Sequence, residues 1–65
     1  MIKVGDIIKG MIDNEYYLVD RIKPFYDEAT DNIHIRKISG FIDITRYICP
    51  IVLISCFEKV GNIYD

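Results

Sequence analysis

Ile48-Cys49-Pro50-Ile51-Val52-Leu53-Ile54-Ser55-Cys56-Phe57 is the longest apolar run in the chain and carries no charge. Its reading decides the fold. As an extended strand it directs Ile51, Leu53, Ser55 and Phe57 one way and Val52, Ile54 and Cys56 the other. Both faces are then apolar, and the strand needs cover on two sides, whereas a surface strand of an antiparallel sheet keeps one wet face. The run is too short to span a bilayer, which takes about 20 residues. The expectation is a closing strand over residues 51–58 or 51–59, with one face in the core and one face seeking cover.

The rest of the composition supports strands. The 65 residues include fourteen Ile against two Leu and one Ala. Ile is stiff at χ1 and favours strands, while Leu and Ala favour helices. A hydrophobic content of 51% with 28% charged residues excludes disorder. Residues 1–65 make one domain with one small core. At this size only about 60% of the unfolded surface is buried, and small domains often draw stability from a disulfide, a metal or a second copy. The abundance of Ile, Asp, Asn and Lys suits an AT-rich coding sequence, as in a low-GC bacterium or its phages.

The net charge of −2 and pI near 5.2 speak against a dedicated nucleic-acid binder but leave room for a local basic stripe. The first residues are charged early and lack the apolar core of a signal peptide, so the expected location is cytoplasmic. Cys49 and Cys56 have no zinc-site spacing, and the single His34 does not complete a ligand set. Seven residues apart on one strand they lie roughly 23 Å from each other, beyond disulfide reach. They are read as free buried thiols, with no cofactor and no metal.

From the N-terminus, Val4 plugs one end of the core and Gly5-Asp6 turns the chain into a first strand over residues 7–12, with Ile8 and Ile12 or Ile7 and Met11 inward. Gly10 marks a bulge or a close backbone approach. Asp13-Asn14-Glu15 is a hairpin break, Asn14 tolerating the left-handed conformation. A second strand covers 16–23, with Leu18 and Ile22 on the core side and Asp20 at an opening or bulge. Pro24 ends it. Residues 24–32 are a long acidic stretch with an aromatic pair, a loop or one helical turn, of the kind on which contacts concentrate. In the third strand, 33–38, Ile33 and Ile35 point inward and His34 and Arg36 outward. Ser39-Gly40 is a two-residue turn into a fourth strand at 41–45. Arg46-Tyr47-Ile48-Cys49 makes one tight turn before Pro50, and Ile63 and Tyr64 pin down a short tail.

The Val4-Gly5-Asp6 lead-in, the Ser39-Gly40 turn and the Arg46–Cys49 turn before Pro50 resemble the order of small barrels of the Src-homology-3-like type, in which the last strand pairs with the first. The resemblance implies an all-β fold: a five-stranded small barrel or strongly twisted antiparallel sheet with one short helical turn before the last strand. Proline-peptide readers of that type use an acidic first loop and a Trp-bearing groove. This chain has no Trp and a first loop of only three residues, so the resemblance implies shape and carries no ligand.

Three function classes follow. An enzyme would need a nucleophile and base in a pocket. Cys56 with His34 is the one conceivable pair, and a core thiol beside an exposed imidazole is the plainer reading, so no enzyme is expected. The acids at 27–32 lack the Gly and terminal Glu of a calcium loop. A nucleic-acid binder would use Arg21, Lys23, Arg36 and Lys37, with Arg46, as a stripe and Tyr17 or Tyr16, with Phe41, as stacking faces. Asp20 and Asp43 interrupt that stripe, and alternating charge is an ordinary way to solvate a sheet. The expected function is a non-enzymatic protein-binding module, on the scale of a small phage or bacterial inhibitor acting on a host protein. Its contact residues are Phe25, Tyr26, Asp27, Glu28, Tyr47, Val52 and Ile54, its partner another protein or a second copy in a homodimer. Nucleic acid is the alternative, and a structural subunit of a larger assembly the second alternative.

Overall fold

In a computed structural model that describes residues 2–24 and 27–65, five strands and one helix follow in the order β1 (Asp6–Gly10), β2 (Tyr16–Ile22), β3 (Ile33–Lys37), β4 (Thr45–Ile48), α1 (Pro50–Cys56) and β5 (Phe57–Asn62). All pairings are antiparallel, and the strands lie side by side as β4-β3-β2-β1-β5. The all-β expectation with a short helix before the last strand holds. The last strand also pairs with the first. The sheet is open, however: β4 and β5 form its two edges, and no barrel closes.

The apolar run 48–57 is corrected from strand to helix. Pro50 sits in the first turn of α1, where its fixed φ suits a helix and its missing N–H costs nothing. Buried Cys49, Pro50, Leu53 and Phe57 alternate with exposed Ile51 and Ile54, a spacing of three and four residues. Because every position in the run but Ser55 is apolar, this rhythm is not marked in the sequence. Val52 and Ile54 therefore do not share a face: Val52 packs on the core and Ile54 is 69% exposed. The helical turn expected at 46–49 is instead occupied by β4 and Cys49. Both cysteines are free thiols, Cys49 buried and Cys56 half-buried.

One face of the sheet is packed. Ile8, Tyr17, Val19, Ile33, Ile35 and Ile48 form the core with Leu53 of α1 and Phe57, whose ring meets that of Tyr17 edge-on at 5.4 Å. A bulge sets the frame of β2. Val19 stands opposite Ile35 and Arg21 opposite His34, leaving Asp20 as the extra residue. It shifts the two-residue alternation by one, so Tyr17 and Val19 face inward before it and Ile22 faces inward after it. Of the opening or bulge expected at Asp20, the bulge is what forms. Leu18, expected beside Ile22 on the core side, is corrected to the opposite face, because the bulge breaks the alternation that would put the two together. A second bulge at Val60 in β5 separates the Ile7–Gly61 and Ile8–Lys59 pairs.

Other boundaries move for local reasons. β1 stops at Gly10, and Met11 and Ile12 are exposed in the turn that follows. Its frame puts Ile8 inward. Val4 is exposed, and Ile2 packs on the core instead. The β3–β4 connection is longer than two residues. Ile38 N–H bonds to Tyr16 O, and Ser39 Oγ both accepts from Tyr16 N–H and donates to Glu15. Those bonds fasten the chain to the start of β2, so the turn lies beyond them and β4 begins only at Thr45. Among the described residues no helix is long and apolar enough to cross a membrane.

Candidate functional site

The packed side of the sheet carries an apolar groove of about 360 Å³ between α1, the ends of β2 and β3 and the loop after β2. Ile2, Ile22, Ile33, Pro50 and Ile54 line it, together with Glu28 and Asn32. The loop wall is held by short-range bonds. Asp27 Oδ1 accepts from Ala29 N–H at 2.9 Å and from Thr30 Oγ1 at 3.1 Å. Ile51 N–H donates to Glu28 O at 3.2 Å, giving one first-turn donor of α1 a partner where Cys49 offers no side-chain cap. At the loop base, Lys23 N–H bonds to Asn32 O and the Asn32 amide donates back to Lys23 O at 2.9 Å.

Asn32 is 1% exposed, and its Oδ1 has no hydrogen-bond donor among the described residues. A buried acceptor left in this state costs about 1–3 kcal/mol. It lies in the wall of a groove that is otherwise hydrocarbon, with the Glu28 carboxylate at the exposed rim. The groove suits an incoming group that buries an apolar side chain.

The opposite face of the sheet is uncovered. Arg21, His34 and Tyr47 stand in one row across β2, β3 and β4, beside a shallow polar hollow of about 330 Å³ lined by them and Asp20. Asp20 binds His34 Nδ1. Lys23 Nζ lies 4.6 Å from the centre of the Tyr47 ring, and the His34 ring lies 4.8 Å from it. The phenol of Tyr47 is held below its ordinary pKa, chiefly by the neighbouring Lys23 ammonium, with Arg21 adding to it, against an opposing effect of desolvation.

The residues expected to form one contact surface are thus divided. Glu28 and Ile54 meet at the groove, and Asp27 supports its loop. Tyr47 belongs to the opposite face, while Val52 lies with Cys56 beside Arg46 and Phe57. Phe25 and Tyr26 lie outside the described residues. The expected basic stripe is divided too. Tyr17 cannot offer a stacking face, because its ring is 5% exposed against Phe57 and its hydroxyl donates to Asp13. Lys37 stands opposite Tyr17 on the packed side and pairs with Glu15. Arg46 stands opposite Ile35, with its guanidinium 5.8 Å from the Phe57 ring, and Phe41 is fully exposed in the turn before β4. Arg21, Lys23 and Arg36 remain around the open face. Cys56 and His34 lie at different hollows and form no pair.

Sequence reasoning missed Asn32, which has the residue type of a solvated loop end but is buried in the groove wall. It also missed the association of His34 with Tyr47, which depends on the exact register of β4. No protein-family model, curated protein or solved structure matches the chain.

Proposed function

We propose that the protein is a non-enzymatic binding module whose groove takes an extended segment of another protein. The segment brings one bulky apolar side chain between Ile22, Ile33 and Ile54 and a basic residue to Glu28. The apolar groove walled by Ile2, Ile22, Ile33, Pro50 and Ile54, with Glu28 beside it, is the observation that carries this reading. Apolar anchors that fill such a pocket supply most of the energy of an interface.

The test is affinity capture from lysate of the source cell with three baits: wild type, Ile54→Lys and Glu28→Lys. The expected result is one dominant protein retained by the wild type and lost by both variants, while circular dichroism shows that both stay folded. Equal capture by all three baits removes the groove from the reading. If light scattering instead finds a wild-type dimer that Ile54→Lys converts to a monomer, the occupant is a second copy of the chain.

A further inference from the structure

The open face of the sheet has a charge arrangement that the groove does not explain. Among the described residues, ion pairs join Lys3 to Asp65, Lys37 to Glu15 and Lys59 to Asp6, and Asp20 contacts His34 Nδ1. Among the described residues Lys9, Arg21, Lys23, Arg36 and Arg46 have no carboxylate within ion-pair distance. Of these, Arg21, Lys23 and Arg36 lie on the β2–β3–β4 part of the open side. Arg21 stands in the row with His34 and Tyr47, Lys23 reaches the Tyr47 ring, and Arg36 follows His34 by two residues on β3, between Leu18 and Thr45. The acidic side chain lining this hollow, Asp20, is engaged by His34. Lys23 and Arg21 thus lie beside the exposed Tyr47 ring, and Arg36 stands two residues along β3 from His34, none of the three in an ion pair.

Solvation alone does not call for this pattern, since a wet sheet face is ordinarily dressed with neighbouring charges of opposite sign. A ring flanked by cations suits a chain that is both anionic and aromatic. Phosphates take the guanidinium and ammonium groups, and bases have π-faces that stack on tyrosine. The face is a sheet with no projecting helix or ribbon to enter a duplex groove, which favours unpaired bases. We infer that the open face binds single-stranded nucleic acid, with Arg21, Lys23 and Arg36 on successive phosphates and Tyr47 stacked on a base. Tyr47 takes the stacking role for which the sequence suggested Tyr17. This site is independent of the groove.

Fluorescence anisotropy with a labelled single-stranded oligonucleotide of mixed sequence tests it. Three phosphate contacts at a slope of about −0.7 each give roughly a 20-fold loss of affinity between 50 and 200 mM salt. Arg36→Ala and Lys23→Ala each lower that slope, and Tyr47→Ala weakens binding by about fivefold or more. Ile54→Ser, in the groove, leaves binding unchanged. Circular dichroism confirms that each variant is folded; because Arg36 and Lys23 are exposed, at least one gives a folded protein for comparison. Absence of binding at 50 mM salt overturns the inference, as does binding that Tyr47→Ala, Arg36→Ala and Lys23→Ala all leave intact. Loss of a captured protein on Arg36→Ala, with no oligonucleotide binding, assigns the face to a protein and overturns it equally.

Discussion

The carboxylate of Asp6 accepts a hydrogen bond from the side-chain amide of Asn62 at 2.9 Å, across 56 residues of sequence. Asp6 also accepts from Lys3 N–H at 2.9 Å and lies 3.2 Å from Lys59 Nζ, while its side chain is only 2% exposed. The first and last strands are thus joined by a buried, fully engaged carboxylate as well as by the ladder. Hydrogen bonds to a charged group are worth about 1.5–3 kcal/mol. Asn62→Ala is expected to lower unfolding free energy by about that much, read from urea denaturation.

The same carboxylate sets an acid limit. Burial raises the Asp6 pKa, but the Asn62 amide, the Lys3 N–H and the Lys59 ammonium together outweigh it, and the net shift is downward. A depressed carboxylate contributes fully above its unfolded pKa and loses that contribution as pH falls through the folded pKa. Stability should therefore decline on acidification below the ordinary aspartate range. In Asp6→Asn the acid decline should be shallower, from a lower starting stability. Urea midpoints measured from about pH 6 down to about pH 2 check both. An Asp6→Asn variant as acid-sensitive as the wild type would remove Asp6 as the cause.

Gly5 adopts φ +92°, and a Cβ there would fall 2.5 Å from Tyr64 Cδ2. Its N–H bonds to Val19 O and its carbonyl accepts from Ile63 N–H, so the backbone has little freedom to move away. Gly5→Ala is expected to cost about 1–3 kcal/mol, measured by thermal unfolding. Gly61, with nothing within 4 Å of its Cβ position and no positive φ, is the control, and Gly61→Ala should change stability far less.

The helix and the strand readings of the run 48–57 differ in what mutations do. A strand puts Ile51 and Leu53 on one face and gives them similar weight. The helix buries Leu53 to 7% and leaves Ile51 at 48%. Leu53→Ala should cost about 2–5 kcal/mol and Ile51→Ala much less. Equal costs for the two would contradict the helix.

Tyrosine ionisation separates the two faces of the sheet. Tyr47 is held below its ordinary pKa, chiefly by Lys23, while Tyr17 is pushed above its own by burial and by the Asp13 carboxylate it bonds to. An alkaline titration followed by ultraviolet absorbance or NMR should show Tyr47 ionising before Tyr17. Lys23→Ala should move Tyr47 upward and leave Tyr17 in place.

How much of this was legible follows from which signals survive in a sequence. The Ile33-His34-Ile35-Arg36 alternation has period two and mixed polarity, so β3 and its faces could be read directly. Asp20, an acid inside a strand, points to an opening or a bulge, and the bulge is what forms. The run 48–57 defeated the same method because Ser55 is its one polar residue, too few to mark a period. Ser39-Gly40 looked like a hairpin turn, but its position depends on bonds to Tyr16 and Glu15, more than twenty residues away. The candidate sites were legible only in pieces. Glu28 and Ile54 were selected for exposure and charge, whereas the buried amide between them and the Lys23–Tyr47 contact are products of register.

The strand order β4-β3-β2-β1-β5 also has a kinetic meaning. β2 and β3 can meet by closing a short loop, but β5 can dock on β1 only after the intervening chain is in place, at a loop-closure cost that grows with the logarithm of the separation. A topology with its first strand waiting for its last belongs among the slower small domains, refolding in milliseconds to seconds rather than microseconds. The β1–β5 seam is then the last part to form and the first to open. In native-state hydrogen exchange, amides of β5 should exchange ahead of those in β2 and β3.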